Sequence, residues 1–432
     1  TRKGPAMPPI TDHPLRYAMS NELHARPFPK LAAPSRAVFL ALKPARNPAG
    51  RDRAADLAHL INLLDRHGVA HPQPEATHYS GQIGKFILKW ESHTEFVTYT
   101  IFGEGTSEKP FEASTFQMFP EDWLSSAPGT RVTSALIRIE RLDGDEGIIA
   151  KANDWFVPES LAISRVLEDE LIITSDFRID PAGHLRMAVF ARSKTGERRI
   201  GRVVQRLCEI ETYKSMAMLG LAAARKLAPI MSTIDGQVGH LIADLNNDEI
   251  APDQTLKQLL TISAELENIV AQTAYRFGAT GAYETIVNQR INILREERFL
   301  GRQTFGEFMM RRFDPAMRTV ESTQARLKSL SDRALRAGDL LRTRVDVERS
   351  AQNQSLLTSM DARADQQLRL QQTVEGLSVV AISYYAVSLA LYVLGPIEKT
   401  FGISKVYIAS GVTPIVLILV WLMIRRIHRR MH

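Results

Sequence analysis

Two uncharged apolar runs, residues 377–394 and 406–424, stand close together near the C-terminal end of this 432-residue chain. A helix rises about 1.5 Å per residue, so about 20 residues cross a hydrocarbon core of roughly 30 Å, and each run is long enough to span a bilayer. Only residues 395–405 separate them, too few for a domain but enough for a tight re-entry. The pattern predicts a transmembrane helical hairpin. A buried hairpin in a soluble core is the alternative, disfavoured by the abrupt cluster Arg425, Arg426, Arg429 and Arg430 behind the second run. Lys and Arg beside a membrane segment are retained on the cytoplasmic side, so both termini are expected in the cytoplasm and these four arginines at the membrane interface. Residues 1–12 hold no apolar core of a signal peptide, so the polar bulk is expected on the cytoplasmic side of a bacterial inner membrane, or in a matrix-like compartment.

The formal net charge of +6 comes mostly from that terminal arginine cluster. It is therefore no argument for a nucleic-acid partner, and none is expected. A single cysteine, Cys208, excludes a disulfide framework and a thiolate metal cluster, and its apolar helical position predicts a small core residue.

Residues 1–36 form a Pro-rich arm that has to be pinned by contacts, because its prolines prevent a long helix. Over 37–196, β-branched and aromatic runs at 38–42, 85–90, 96–102, 132–141, 161–167, 171–177 and 185–191 alternate with turns, and helices are predicted at 52–67 and 120–125. This predicts an α+β cytoplasmic domain on a mixed or antiparallel sheet. A helical region follows over 197–314, with stretches at 200–227, ended or kinked by Pro229, and at 231–246, 253–272, 283–300 and 304–313. Residues 315–376 hold only two glycines, Gly338 and Gly376, and no proline after Pro315. They predict a long stalk helix of about 90 Å feeding the hairpin at 377–424, with 425–432 as a basic cytoplasmic tail. Apolar residues recur along the stalk at heptad-like spacing, from Met317 and Val320 to Leu368 and Val374, interrupted by Gln324, Gln352 and Gln371. So dilute a seam suits a coiled-coil stalk packed against other helices or symmetry mates.

Chemistry-bearing residues are few. In the first membrane run Ser378, Tyr385, Ser388 and Tyr392 lie 7, 3 and 4 residues apart, on one helix face. Hydroxyls in a bilayer core seek a helix partner or a wet lumen, so the stripe is either a helix–helix interface or a pore lining. No Asp, Glu, Lys or Arg lies in either run, which argues against a proton relay or voltage sensor. His67, His71, Glu75 and His78 are a weak candidate for a metal site, because Pro72 and Pro74 break the helix that would align them; a solvated loop explains them better. In the arm, Asn21, Glu22, His24 and Arg26 could bind an anion or perform acid–base work, yet no nucleophile or Gly-rich loop accompanies them, and an ion pair lashing the arm down is the simpler account. Asp143, Asp145 and Glu146 resemble a cation loop only superficially; a hairpin turn explains them. The chain has no GxxxxGK[ST], HExxH or nucleophile elbow.

The arm His13-Pro14-Leu15-Arg16-Tyr17 and Asn21-Glu22-Leu23-His24-Ala25-Arg26-Pro27, together with the hairpin, resembles a bacterial family of uncharacterised predicted membrane-anchored proteins over nearly the whole chain. That resemblance implies an inner-membrane location and assigns no reaction. The layout of α/β domain, helices, long stalk and two membrane helices also resembles the CorA-type divalent-cation channels. It implies a homo-oligomer, such as a pentamer, lining a pore with its first membrane helix, and a divalent cation as ligand or cargo. Those channels carry Gly-Met-Asn at the outer end of that helix; this chain has Leu394-Gly395-Pro396, so only Gly395 matches and magnesium selectivity does not carry over. The expected function is thus a CorA-like ion channel or transporter, with a membrane-tethered scaffold or sensor as the alternative and an enzyme using Glu22, His24 and Arg26 a third.

Overall fold

The computed structural model describes residues 10–22, 28–44, 51–74, 76–244, 252–401 and 404–431. Two compact units are present. The first takes the chain up to Asp244 together with Gln258–Arg336; the second takes Ala337 onward together with the residues preceding Gln258.

The first unit is built on one nine-stranded sheet. In chain order its strands are β1 (Ser35–Lys43), β2 (His78–Ile83), β3 (Phe86–Ser92), β4 (Val97–Glu104), β5 (Thr130–Arg141), β6 (Ala162–Val166), β7 (Leu171–Ile179), β8 (Leu185–Ala191) and β9 (Glu297–Arg298). Their spatial order is β2-β3-β4-β1-β5-β8-β7-β6-β9. Every pairing is antiparallel except β5 with β8, where Ala135 to Arg141 run parallel to Leu185 to Ala191. Helices α1 (Arg16–Glu22), α2 (Arg53–Arg66), α3 (Glu121–Ser125), α4 (Asp145–Trp155), α5 (Glu197–Asp244), α6 (Pro252–Leu294), α7 (Phe305–Arg312), α8 (Asp314–Phe401) and α9 (Lys405–Met431) complete the described chain.

Strand alternation sorts the core into two faces. On β1, Val38, Leu40 and Leu42 meet Leu60, Leu63 and Leu64 of α2, while Ala37, Phe39 and Ala41 meet Val203, Val204 and Leu207 of α5. Each of those α2 leucines is fully buried, a contribution of about 1.5–3 kcal/mol apiece. Helix α2 starts where the Asp52 carboxylate accepts the amides of Ala54 and Ala55 at 2.9 and 3.1 Å, and it stops before Gly68, whose φ of 63° is left-handed. Cys208 is buried in the α5 layer, where burial pushes its thiol pKa up, so it is a core residue.

All the strands expected from sequence are present, and β2 and β9 are additions. Four expectations in this unit need correction. The helix expected over 283–300 ends at Leu294, and Glu297–Arg298 pair with β6 as β9 instead. Pro229 does not end the helix: α5 runs through it, because Leu227, Met231 and Ile234 are all buried and outweigh the roughly 3 kcal/mol that a mid-helix proline costs. Helix α6 is likewise continuous across residues 273–282, where Phe277 and Thr280 are buried. Asp143 and Asp145 do not form a hairpin turn. Gly144 is the N-cap of α4, with Asp145 and Glu146 in its first turn, and Asp145 pairs with Arg165 and with Arg192.

His59 of α2 is buried with both ring nitrogens engaged: Nδ1 lies 3.0 Å from the Tyr99 hydroxyl and Nε2 3.0 Å from the Trp123 carbonyl. A carbonyl only accepts, so Nε2 carries the proton and Nδ1 accepts from the phenol. Burial lowers its pKa from the ordinary 6.5. Because the unfolded chain then takes up the proton first, the stability that His59 contributes is present above that value and is lost as pH falls below it. Urea midpoints measured between about pH 8 and about pH 5 are expected to decline on the acid side, and His59→Gln should flatten that decline, leaving the part due to His184, whose pKa burial also lowers.

Candidate functional site

Two helical stretches, Phe305–Gly395, which takes in α7 and most of α8, and Val406–Arg426 within α9, each hold a window long and apolar enough to cross a membrane. Within α8, Val379, Ser383, Ala386, Val387, Ala390, Leu391 and Leu394 are wholly or partly covered, and they fall on one face. On α9 the covered residues Val412, Val416, Val420 and Ile424 recur every fourth position. Ser378, Tyr385, Ser388 and Tyr392 lie about half a turn away from the covered face of α8, and all four are exposed, Tyr392 to 89%. The hydroxyl stripe therefore does not bond the hairpin's arms to each other. Ser378 Oγ donates to the Val374 carbonyl of its own helix at 2.8 Å, and the rings of Tyr384 and Tyr385 meet edge to face.

The sequence predicts a connecting loop over 395–405, but α8 continues to Phe401, so Gly395 is a helical residue, exposed and without a neighbour its missing Cβ would meet. Arg425 and Arg426 are exposed at the end of the span, the Arg425 guanidinium 5.0 Å over the Trp421 ring, a pairing suited to a headgroup region. Arg429 and Arg430 continue α9.

A profile described as "Protein of unknown function (DUF3422)" matches residues 11–431. The chain belongs to this family. No curated protein and no solved structure matches it. Family membership thus supplies extent rather than chemistry.

For this DUF3422 protein the arm motif falls largely outside the described residues: His24 and Arg26 lie there, while Asn21 and Glu22 end α1. The next part of the arm, from Phe28 to Leu31, is held against α5. The Leu31 amide donates to the Glu197 carbonyl at the start of that helix, and a Cβ on Gly201 would come within 1.8 Å of the Pro29 carbonyl oxygen, a close approach that only glycine permits. The histidines are dispersed. His71 bonds Asp65 at 2.6 Å, His67 caps α2, His78 opens β2, and Glu75 lies outside the described residues. Among the described residues no group of three His, Cys, Asp or Glu is placed to hold a metal.

Sequence spacing gives no sign of the polar layer between the sheet and α5 and α6. Glu95, fully buried at the β3–β4 turn, takes the Arg276 guanidinium on both oxygens and the Tyr283 hydroxyl at 2.7 Å. Burial and that carboxylate push the Tyr283 pKa up. Beside it Lys89, Glu91, His93, Gln205, Glu209 and Tyr213 line a cavity of about 20 Å³, with Lys89 Nζ 3.0 Å from a Glu91 oxygen. That space holds one water and no substrate. The layer is a structural clamp, legible only once α6 is laid beside the β3–β4 turn, about 180 residues away in sequence. Glu95→Ala would strand the Arg276 charge and is expected to cost about 3 kcal/mol in equilibrium unfolding, with Glu95→Ala/Arg276→Leu recovering a large part of the loss.

Proposed function

We propose that the chain is an oligomeric protein of the bacterial inner membrane with both termini cytoplasmic, in which the α8 helices of several copies surround a common axis in a CorA-like layout and pass an ion along the stripe Ser378, Tyr385, Ser388 and Tyr392. The observation that carries this reading is the position of the stripe on the face of α8 opposite its covered face. Phenols placed in hydrocarbon need a partner or water, and a shared lumen supplies both.

Two further features support it. The side chains of residues 349–374 are exposed on every face of α8, including Leu356, Met360 and Leu368, which leaves the second half of the heptad seam for neighbouring copies to cover. Neither span carries an ionised side chain, so hydroxyl and carbonyl oxygens would meet a partly hydrated cation without a fixed charge to trap it. A membrane-tethered sensor without transport is the second reading, favoured by one observation, an arginine-lined cleft on the α+β unit.

Images of the full chain in nanodiscs are expected to show a ring of about five copies with α8 innermost; a monomer or a dimer without a lumen would sink the reading. In liposomes, Tyr385→Leu and Tyr392→Leu should change cation flux about tenfold or more if each phenol interacts directly with the ion, a difference of roughly 1.4 kcal/mol in barrier. Absence of flux in the native protein, or flux unaltered in both variants, counts against it.

A further inference from the structure

Arginines gather where α5 begins. Arg199, Arg202 and Arg206, spaced 3 and 4 residues apart on one helix face, share a cleft of about 480 Å³ with Asn292 and with Arg295 just beyond the end of α6. The opposite wall is the β6–β7 turn, which contributes Leu167 and Glu168. Four guanidiniums thus face a single lining carboxylate. The size falls within the range of small-molecule sites, in contrast to the one-water gap above Lys89.

The pairing pattern leaves part of this charge unspent. Arg295 is held by Glu168 at 3.0 Å with both side chains mostly exposed, and Arg199 pairs with Glu170 of the same turn. Exposed pairs of this kind contribute little and exchange readily for a better anion. Arg202 rests on the Phe28 ring at 5.4 Å. Arg206 is half-buried, and among the described residues neither it nor Arg202 has a carboxylate within ion-pair distance. Glu209, one turn on from Arg206, is already occupied: Gln205 Nε2 donates to its Oε1 at 2.8 Å, and the Arg290 guanidinium takes Oε2. Burial, then the charge of Arg202, lowers the Arg206 pKa, and Glu209 only partly opposes this.

The backbone around the cleft is specialised too. Leu167, Glu168 and Asp169 are consecutive non-glycine residues with φ of 52°, 62° and 62°, and Arg295 has φ 50°. Left-handed backbone at four such positions is strained and persists because its surroundings hold it; here the Leu167 amide donates to the Leu294 carbonyl at 3.1 Å, tying the two walls together.

We propose that this cleft binds a compound carrying two or more phosphate groups, with Arg202 and Arg206 as its principal ligands and Arg199 and Arg295 released from Glu170 and Glu168 to join them. Planar guanidinium forks match the oxygen pairs of phosphate better than those of a monovalent anion, and several in one cleft select for multiple charge. The site is independent of ion conduction, so the two proposals stand or fall separately.

The test uses the full chain in phosphatidylcholine nanodiscs, with sodium tripolyphosphate as soluble probe and cardiolipin, whose headgroup carries two phosphates, in the bilayer as headgroup probe. Tripolyphosphate is expected to bind saturably and raise the thermal midpoint, with sodium chloride at equal ionic strength failing to do so. Arg202→Gln and Arg206→Gln should each weaken binding about tenfold or more, and Arg206→Lys less, because charge survives while the fork is lost. Arg318→Gln, an exposed change on α8, is expected to leave affinity unaltered, and circular dichroism of each variant separates lost binding from lost fold. If cardiolipin competes with tripolyphosphate and the competition disappears in Arg206→Gln, the proposal is supported with a lipid headgroup as source; binding of tripolyphosphate without that competition supports it with a soluble ligand. Saturable binding absent in the folded native protein, or equal in the folded glutamine variants, overturns it.

Discussion

The first unit is organised by the burial of α5 along one face of the sheet. Ile200, Val203, Val204, Leu207 and Ile210 lie against residues of β1, β5, β7 and β8 in one continuous apolar layer. Other parts then take their positions from that helix. The arm meets its first turns at Pro29 and Leu31, and α6 crosses it so closely that a Cβ on Gly220 would fall 2.2 Å from Thr280 Oγ1. Phe305 and Met309 of α7 complete the same core. Since interiors of this density do not deform gradually, whatever shifts α5 shifts the arm, the helical layer and the arginine cleft together.

Strands are legible in the sequence wherever both faces of the sheet are covered, because such strands are nearly continuous apolar runs, as Leu171 to Ile173 and Ala188 to Ala191 show. Strand β2 escapes that reading because it lies at the sheet edge, with Gly81 and alternating exposed residues in place of an apolar run. Helix α4 escapes it for another reason. Its start, Asp143-Gly144-Asp145, carries the residues of a turn, and only Ile148 and Ala152 are buried on its inner side, too sparse a stripe to announce a helix.

The two candidate sites differ in legibility on physical grounds. The hydroxyl stripe belongs to one helix, so its residues are recoverable from a period of 3.6 alone, and only its direction relative to α9 needs the structure. The cleft is assembled from α5, the residues around the end of α6, and the β6–β7 turn, separated by up to about 130 residues, as the pairing of Glu168 with Arg295 shows. In sequence Arg199, Arg202 and Arg206 are indistinguishable from a solvated helix face; what sets them apart is that Glu209 is taken by Gln205 and Arg290.

Within the stripe the serines and tyrosines do not carry equal weight. Ser378 is already satisfied by the Val374 carbonyl one turn back, as a short hydroxyl on a helix can be, and it therefore places no demand on its surroundings. A phenol oxygen stands too far from its own backbone for that solution, so Tyr385 and Tyr392, exposed to 66% and 89%, have to find an acceptor elsewhere. Lipid tails offer none. Were the run to span a bilayer as proposed, Tyr392 would lie close enough to its end for the oxygen to approach the headgroups, whereas Tyr385 would sit mid-run, where another copy of the chain or a column of water would have to provide a partner. Under the proposed layout Tyr385 is thus the residue at which a plain two-helix anchor and a shared lumen make opposite requirements.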